Sequence, residues 1–236
     1  MMFRQLFDVL SSTYTYLLVA PERHEAVLVD PVLEHLDDYL ELLHREGLTL
    51  RYTLETHVHA DHITASGRLR ERLGAATAVG QACNASTADI QLKDGDELRF
   101  GDAERIQVIG TPGHTPGSLA FLWHDRLFTG DALLIDGCGR TDFQGGDAGT
   151  LYDSITQHLF VLPDETLVYP GHDYQGRRVS CIGEQRTRNP RLAGKTREEF
   201  IAIMAALNLP KPRLIDAAVP ANRLCGVLPD EEVPHG

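Results

Sequence analysis

The sequence predicts an α/β fold in a single globular domain spanning residues 1–236. Three observations carry that prediction. Stretches of alternating apolar residues and stretches of helical periodicity follow one another along the chain. Glycine, proline and Asx turn signals punctuate them. Finally, 42% hydrophobic and 24% charged residues supply a sizeable core under a well-solvated surface.

Alternation over residues 14–19 and 26–30 predicts two paired strands entering the core. Leu36, Tyr39, Leu40 and Leu43 then recur at helical spacing within residues 33–46, and Gly47 supplies the stop. A strand over about 52–56 runs into His57-Val58-His59-Ala60-Asp61-His62, and a helix follows to about Leu73, ended by Gly74. Between Lys93 and Trp123, the Asp94-Gly95 turn signal and the alternating sets Ile106, Val108 and Leu119, Phe121, Trp123 predict consecutive strands, with His114 in a loop. A short strand at Leu127 and Phe128 precedes Thr129-Gly130-Asp131. A helix from about Thr150 places Leu151, Ile155, Leu159 and Leu162 on one face. Residues 167–169 form a strand ending at Pro170-Gly171-His172. The capping-box pattern Thr196-Arg197-Glu198-Glu199 opens a last helix through Ile201, Met204 and Leu207, a short helical extension from about residue 195.

The formal net charge of −12 disfavours a nucleic-acid or anionic-membrane partner, since both demand a basic face. No run approaches the roughly 18 apolar residues of a membrane span, and the start MMFRQLFDVL lacks a signal-peptide pattern, so a cytoplasmic protein is expected. Cys83, Cys138, Cys181 and Cys225 are far apart and form no CxxC, which points to reduced thiols rather than a thiolate zinc site or disulfides.

The chemistry concentrates in His57, His59, Asp61 and His62, four residues of metal-ligand type within six positions at the end of a predicted strand. A core cannot cheaply hold three histidines and an aspartate unless something pairs them. His114, Asp131 and His172 each follow a short apolar strand and sit beside a glycine. Taken singly, either histidine reads as a surface or hydrogen-bonded residue and Asp131 as a turn residue. Together they place metal-ligand types along one edge of a sheet. His24, His35, His44, His124, His158 and His235 lack such company and read as ordinary surface residues.

The ordered set His57, His59, Asp61, His62, His114, Asp131 and His172 resembles the metallo-β-lactamase superfamily. That resemblance implies a four-layer αβ/βα sandwich of two mixed sheets flanked by helices, with metal at one sheet edge. Within the superfamily, the run from Thr56 to Thr64, the run Gly137-Cys138-Gly139-Arg140-Thr141-Asp142-Phe143-Gln144, and Gly171-His172-Asp173-Tyr174 are similar to the persulfide dioxygenases. Asn189-Pro190-Arg191 and Asn208-Leu209-Pro210-Lys211-Pro212 add to the match, which covers nearly the whole chain. Carried over by motif, the resemblance implies one Fe(2+) per chain held by His57, His114 and Asp131. Two imidazoles and a carboxylate on one face make the facial triad suited to ferrous oxygenases. His59, Asp61, His62 and His172 are then expected to orient the ligands, although the same residue types hold two zinc ions in relatives of glyoxalase II type. The implied reaction consumes glutathione persulfide, O2 and water and yields sulfite and glutathione. The family habit implies a homodimer.

Glutathione carries carboxylates, so local cations are needed on an acidic protein. Arg140 and Arg191 are the candidates, each with a surface salt bridge as the plainer role. Tyr174 is expected to hydrogen-bond substrate, and Cys138, in a glycine-flanked loop, to offer a pocket thiol without nucleophilic chemistry. The nearest rival is a dinuclear zinc hydroxyacylglutathione hydrolase acting through a metal-bound hydroxide. The run 138–144 counts against it, as do the roughly 60 residues after His172, too few for the larger helical domain usual in that family. A non-catalytic regulator is expected to have lost a ligand, and none is missing. A nuclease of the same fold is opposed by the charge.

Overall fold

The computed structural model describes residues 2–227, so His235 lies outside the described residues. The first half of the chain runs through β1 (Met2–Asp8), β2 (Thr13–Ala20), β3 (Glu25–Val29), α1 (Leu36–Arg45), β4 (Thr49–Glu55), α2 (Ser66–Leu73), β5 (Ala76–Gly80) and β6 (Ile90–Leu92). Its six strands form one sheet in sequence order, antiparallel from β1 to β3 and parallel from β3 to β6. The second half contributes β7 (Glu97–Phe100), β8 (Glu104–Gly110), β9 (Leu119–Trp123), β10 (Arg126–Gly130), α3 (Ala148–Ser154), β11 (Leu167–Pro170), β12 (Ser180–Cys181), α4 (Ile182–Arg188), α5 (Arg197–Ala205) and α6 (Ile215–Asn222). Its sheet has the order β12-β11-β10-β9-β8-β7, with β10 and β11 parallel and the rest antiparallel.

Side-chain alternation assigns each strand residue to a layer. From β2, Tyr14, Tyr16 and Leu18 enter the space between the sheets, where they meet Val108, Phe121, Trp123, Phe128 and Tyr169 of the second sheet. Leu17 and Val19 of the same strand point outward and are covered by Tyr39, Leu42 and Leu43 of α1 and Leu69 of α2. On the far side, Leu127 and Val168 are covered by Leu151 of α3, Ile182 of α4, and Phe200 and Met204 of α5. The result is helix, sheet, sheet, helix: the metallo-β-lactamase sandwich that the resemblance implies.

The differences from the sequence reading have physical causes. The strand β1 is an edge strand whose Arg4 and Gln5 interrupt its apolar residues, so alternation does not reveal it. Strands β6 and β12 are too short to show a period, and α6 carries Pro220 inside it. The helix expected from Thr150 starts earlier, because the Asp147 carboxylate caps it by accepting from the Thr150 amide at 2.7 Å. It then widens into a π turn over Ile155–Leu159, closed by Phe160 N donating to Ile155 O at 2.8 Å, so Leu162 falls beyond the helix. The capping box stands as read: Thr196 Oγ1 accepts from Glu199 N, and the Glu199 carboxylate accepts from Thr196 N.

Phe128 is fully buried where the sheets meet, with ring centroids 4.9 Å from Tyr16 and 5.7 Å from Tyr169. Its replacement, Phe128→Ala, is expected to lower unfolding free energy by about 3–5 kcal/mol in chemical denaturation. A loss below about 1 kcal/mol would mean that the two sheets close over the cavity.

Candidate metal centre

The two sheets present their strand ends along one edge of the sandwich, and the loops leaving those ends carry the site. His57, His59, Asp61 and His62 lie between β4 and α2, His114 lies between β8 and β9, and Asp131 and His172 directly follow β10 and β11. Backbone bonds sew the edges together: Leu119 N donates to Thr56 O at 2.7 Å, Gly171 N to Gly130 O at 2.8 Å, and Tyr14 N to Gly171 O at 2.8 Å. Gly130 is forced by this closeness. Its φ is +49°, and a Cβ there would stand 2.5 Å from Thr56 Oγ1.

His57, His114 and Asp131 each turn a ligand atom to a common point, all within 4.8 Å of one another. His114 Nε2 stands 3.7 Å from Asp131 Oδ2. The opposite atom of each ligand is held by the protein. Thr56 Oγ1 donates to Asp30 Oδ2 at 2.7 Å and therefore accepts from His57 Nδ1 at 3.0 Å, which fixes the His57 tautomer and leaves Nε2 as a bare lone pair. His114 Nδ1 donates to the Arg140 carbonyl at 2.6 Å, with the same effect. His172 Nδ1 donates to Asp131 Oδ1 at 2.6 Å, leaving Oδ2 toward the cluster.

Around these three, the remaining predicted residues form a buried network. His172 Nε2 stands 3.0 Å from Asp61 Oδ2, which also meets His62 Nδ1 at 2.9 Å. His59 Nε2 donates to Asp30 Oδ1 at 3.1 Å and lies 3.3 Å from Glu55. His59 Nδ1 and His62 Nε2 are buried without a hydrogen-bond partner. Two orphaned imidazole nitrogens in one cluster cost about 1–3 kcal/mol each unless a cation or water meets them, so the residues fit a metal and are incomplete without a further guest.

Electrostatics favour the same use. Burial, together with the neighbouring His59 and His114 rings, holds His57 well below the ordinary imidazole value and keeps its lone pair free. Burial works against charging Asp131, but His172 outweighs it and keeps the carboxylate well below its usual value. Burial likewise opposes a charged His172, yet Asp131 and Asp61 on either side raise it well above the ordinary range. His172, clamped between two carboxylates, therefore anchors the aspartate of the triad.

The peripheral residues divide. Tyr174 is 76% exposed, with its ring stacked over His172 at 6.1 Å on the open side. Arg191 donates through Nη1 to the Cys138 carbonyl at 2.7 Å. Arg140 is heavily engaged within the chain: its guanidinium forks onto Asp142, donates to the Leu209 and Pro210 carbonyls, and stacks on Phe143. Cys138 departs from expectation. It is buried in the hydrophobic layer, its thiol 3.7 Å from Met204 Sδ and 3.6 Å from Arg191, and burial raises its pKa. It is a packing residue, not a pocket thiol, because α5 and the residue 191 loop close over it.

Sequence reasoning missed Asp30, Glu55, Thr13 and Asn222. Asp30 follows β3 as Asp131 follows β10, a repeated strand-end aspartate that was available as a signal. Asn222, on α6, accepts from Thr64 N at 2.9 Å and donates to the His59 and His62 carbonyls at 2.9 Å, and nothing in its local sequence announces this. Among the other described histidines, His158 meets the Gly110 carbonyl, His124 meets Glu104, and His35 meets Asp8 and Asp38.

A family model described as the metallo-beta-lactamase superfamily matches residues 9–82 and 86–172, a span that includes every residue of the cluster. The chain is similar to the mitochondrial persulfide dioxygenase ETHE1 of Homo sapiens, 51% identical over 226 residues, which cover 95% of this chain and 88% of the relative. It is also similar to the crystal structure of ETHE1 from Myxococcus xanthus, at 59% identity and a TM-score of 0.94, covering 96% of this chain and all of that one. A hydroxyacylglutathione hydrolase from a Polaromonas species matches at 34% identity over 68% of this chain and 62% of its own length.

His172→Ala frees Asp131 Oδ1 and removes the clamp without removing a triad atom. It is expected to weaken metal retention by about 10–100-fold in chelator competition, whereas Asp131→Ala abolishes retention. Equal loss in the two variants would make His172 a ligand.

Proposed function

The chain belongs to the metallo-β-lactamase superfamily and, within it, to the persulfide dioxygenases, and from that premise we propose that it oxidises glutathione persulfide with O2 and water to sulfite and glutathione, using one ferrous ion held by His57, His114 and Asp131. The observation that carries the site assignment is the triad in which each ligand's far atom is pinned, by Thr56, the Arg140 carbonyl and His172, while the near atoms converge. A ferrous ion held by such a two-imidazole, one-carboxylate face would supply redox chemistry with dioxygen beside a sulfur substrate, which zinc, with no accessible change of oxidation state, would not.

The chain's own residues do the rest. Thr56 and the Arg140 carbonyl hold both ligand imidazoles in the tautomer that offers Nε2. The buried His57 and His59 close the inner side, whereas His114 and Asp131 are partly exposed, so the mouth of the site lies on the side of His114 and Asp131. There the exposed Tyr174 ring overlies His172, and in this reading its hydroxyl hydrogen-bonds the substrate. Arg191, with donors to spare beyond its bond to the Cys138 carbonyl, is the better partner for a glutathione carboxylate; Arg140 shapes the 137–144 loop and shares what remains. On a chain of net charge −12, such local cations are what an anionic substrate needs.

The same reading includes a homodimer, from the resemblance. Among the described residues, no helix is long and apolar enough to cross a membrane. A dinuclear zinc thioesterase is disfavoured because its named relative matches only part of either chain.

Anaerobically iron-loaded protein given glutathione persulfide is expected to consume O2 and form sulfite at about one iron per chain. Asp131→Ala is expected to lose both iron and turnover. Two zinc ions per chain with turnover of an S-acylglutathione, and no oxygen uptake, would replace this reading with the thioesterase.

A further inference from the structure

His59, Asp61 and His62 form a second group of metal-ligand side chains beside the triad, with His172 against Asp61, and what fills the space around Asp61 decides how many cations the centre holds. Asp61 Oδ2 lies 2.9 Å from His62 Nδ1 and 3.0 Å from His172 Nε2, separations close to those of neighbouring ligands around one small cation. A single hydroxyl stands against all three. Thr13 Oγ1 is 3.0 Å from Asp61 Oδ2, 3.1 Å from His172 Nε2 and 3.4 Å from His62 Nδ1, and it receives the Ser11 hydroxyl at 2.7 Å.

We propose that Thr13 is the residue that keeps the centre mononuclear: its hydroxyl ties up Asp61 and His172 in hydrogen bonds at the place where a second cation would bind. The inference rests on the one-iron reading above and adds to it the side chain responsible for the count.

Three features make the hydroxyl hard to displace. Thr13 opens β2, is fully buried and pairs with His172 as a backbone bridge. The next residue, Tyr14, donates its amide to Gly171 O at 2.8 Å, so the strand is fastened to the turn that carries His172. Ser11 in turn donates its backbone amide at 2.6 Å to Asp8, itself buried and paired with His35, which holds the approach to β2 from the other side. The backbone that carries the hydroxyl thus cannot withdraw when a cation arrives without breaking the end of β2. A neutral threonine oxygen is also a poor ligand for zinc or cobalt compared with imidazole and carboxylate, so it occupies the position without serving a cation there. His172, with Nδ1 on Asp131 and Nε2 facing both Asp61 and Thr13, has no nitrogen left over.

The test is metal stoichiometry. Metal-free full-length protein is titrated with cobalt(II), followed by its visible absorption, and separately saturated with zinc, passed through a desalting column and analysed for metal. Wild type and Thr13→Ser, which keeps the hydroxyl, are expected to retain about one equivalent, and Thr13→Ala about two, the second appearing as a further cobalt transition. Thr13→Val, which keeps the branched shape and loses only the hydroxyl, covers the case in which the alanine variant does not fold, and it is also expected to gain the second site. Wild type at one with folded Thr13→Ala or Thr13→Val also at one overturns the proposal while leaving the one-metal reading intact. Loss of all metal from a folded variant overturns it as well, since Thr13 would then support the first site. Two equivalents in the wild type would refute the one-metal reading itself, and the role of Thr13 with it.

Discussion

The Asp30 carboxylate, sealed at the end of β3 with 1% exposure, is the interaction on which the centre depends. It accepts from the Thr56 amide at 2.7 Å, from the Thr56 hydroxyl at 2.7 Å and from His59 Nε2 at 3.1 Å. Through the first two bonds it sets where β4 ends and which tautomer His57 adopts. Through the third it turns His59 so that Nδ1 faces the cluster. A buried carboxylate with three donors is tolerable in a core, and one that lost them would be among the costliest groups the fold contains. The sandwich and the site therefore constrain each other, because β3 and β4 cannot shift register without unpairing Asp30.

Much of this was legible in the sequence, and the boundary of legibility follows separation along the chain. The run 57–62 announces itself because its members are neighbours in sequence, and His114, Asp131 and His172 because each follows a short apolar strand and a glycine. Gly130 has its reason in space, where Thr56 leaves no room for a side chain. Partners recruited from far away leave no such trace. Thr13 meets Asp61 across 48 residues and Asn222 meets His59 across 163, and both look like ordinary polar residues where they stand. Cys138 shows the opposite error. Glycines on both sides suggest an open loop, yet Met204 and Arg191, distant in sequence, cover the thiol.

Arg140 is instructive for charge reasoning on an acidic chain. A net charge of −12 suggests that any arginine near the site serves an anionic substrate. The same excess of carboxylates also supplies internal partners, and Asp142 with two main-chain carbonyls absorbs most of this guanidinium. Local geometry, not the overall balance, decides which cation stays free for a ligand.

Asn222 joins the first loop of the centre to the last helix of the described chain, and this has a consequence for biosynthesis. The ends of β3, β4, β8, β10 and β11 have all been made once residue 172 has been added, but the loop that carries His59 and His62 still lacks the side chain that pins its carbonyls and the Thr64 amide. In the order of synthesis, every ligand thus precedes the side chain that completes the centre. A chain cut short ahead of α6 keeps every ligand while lacking the side chain that holds their loop in place.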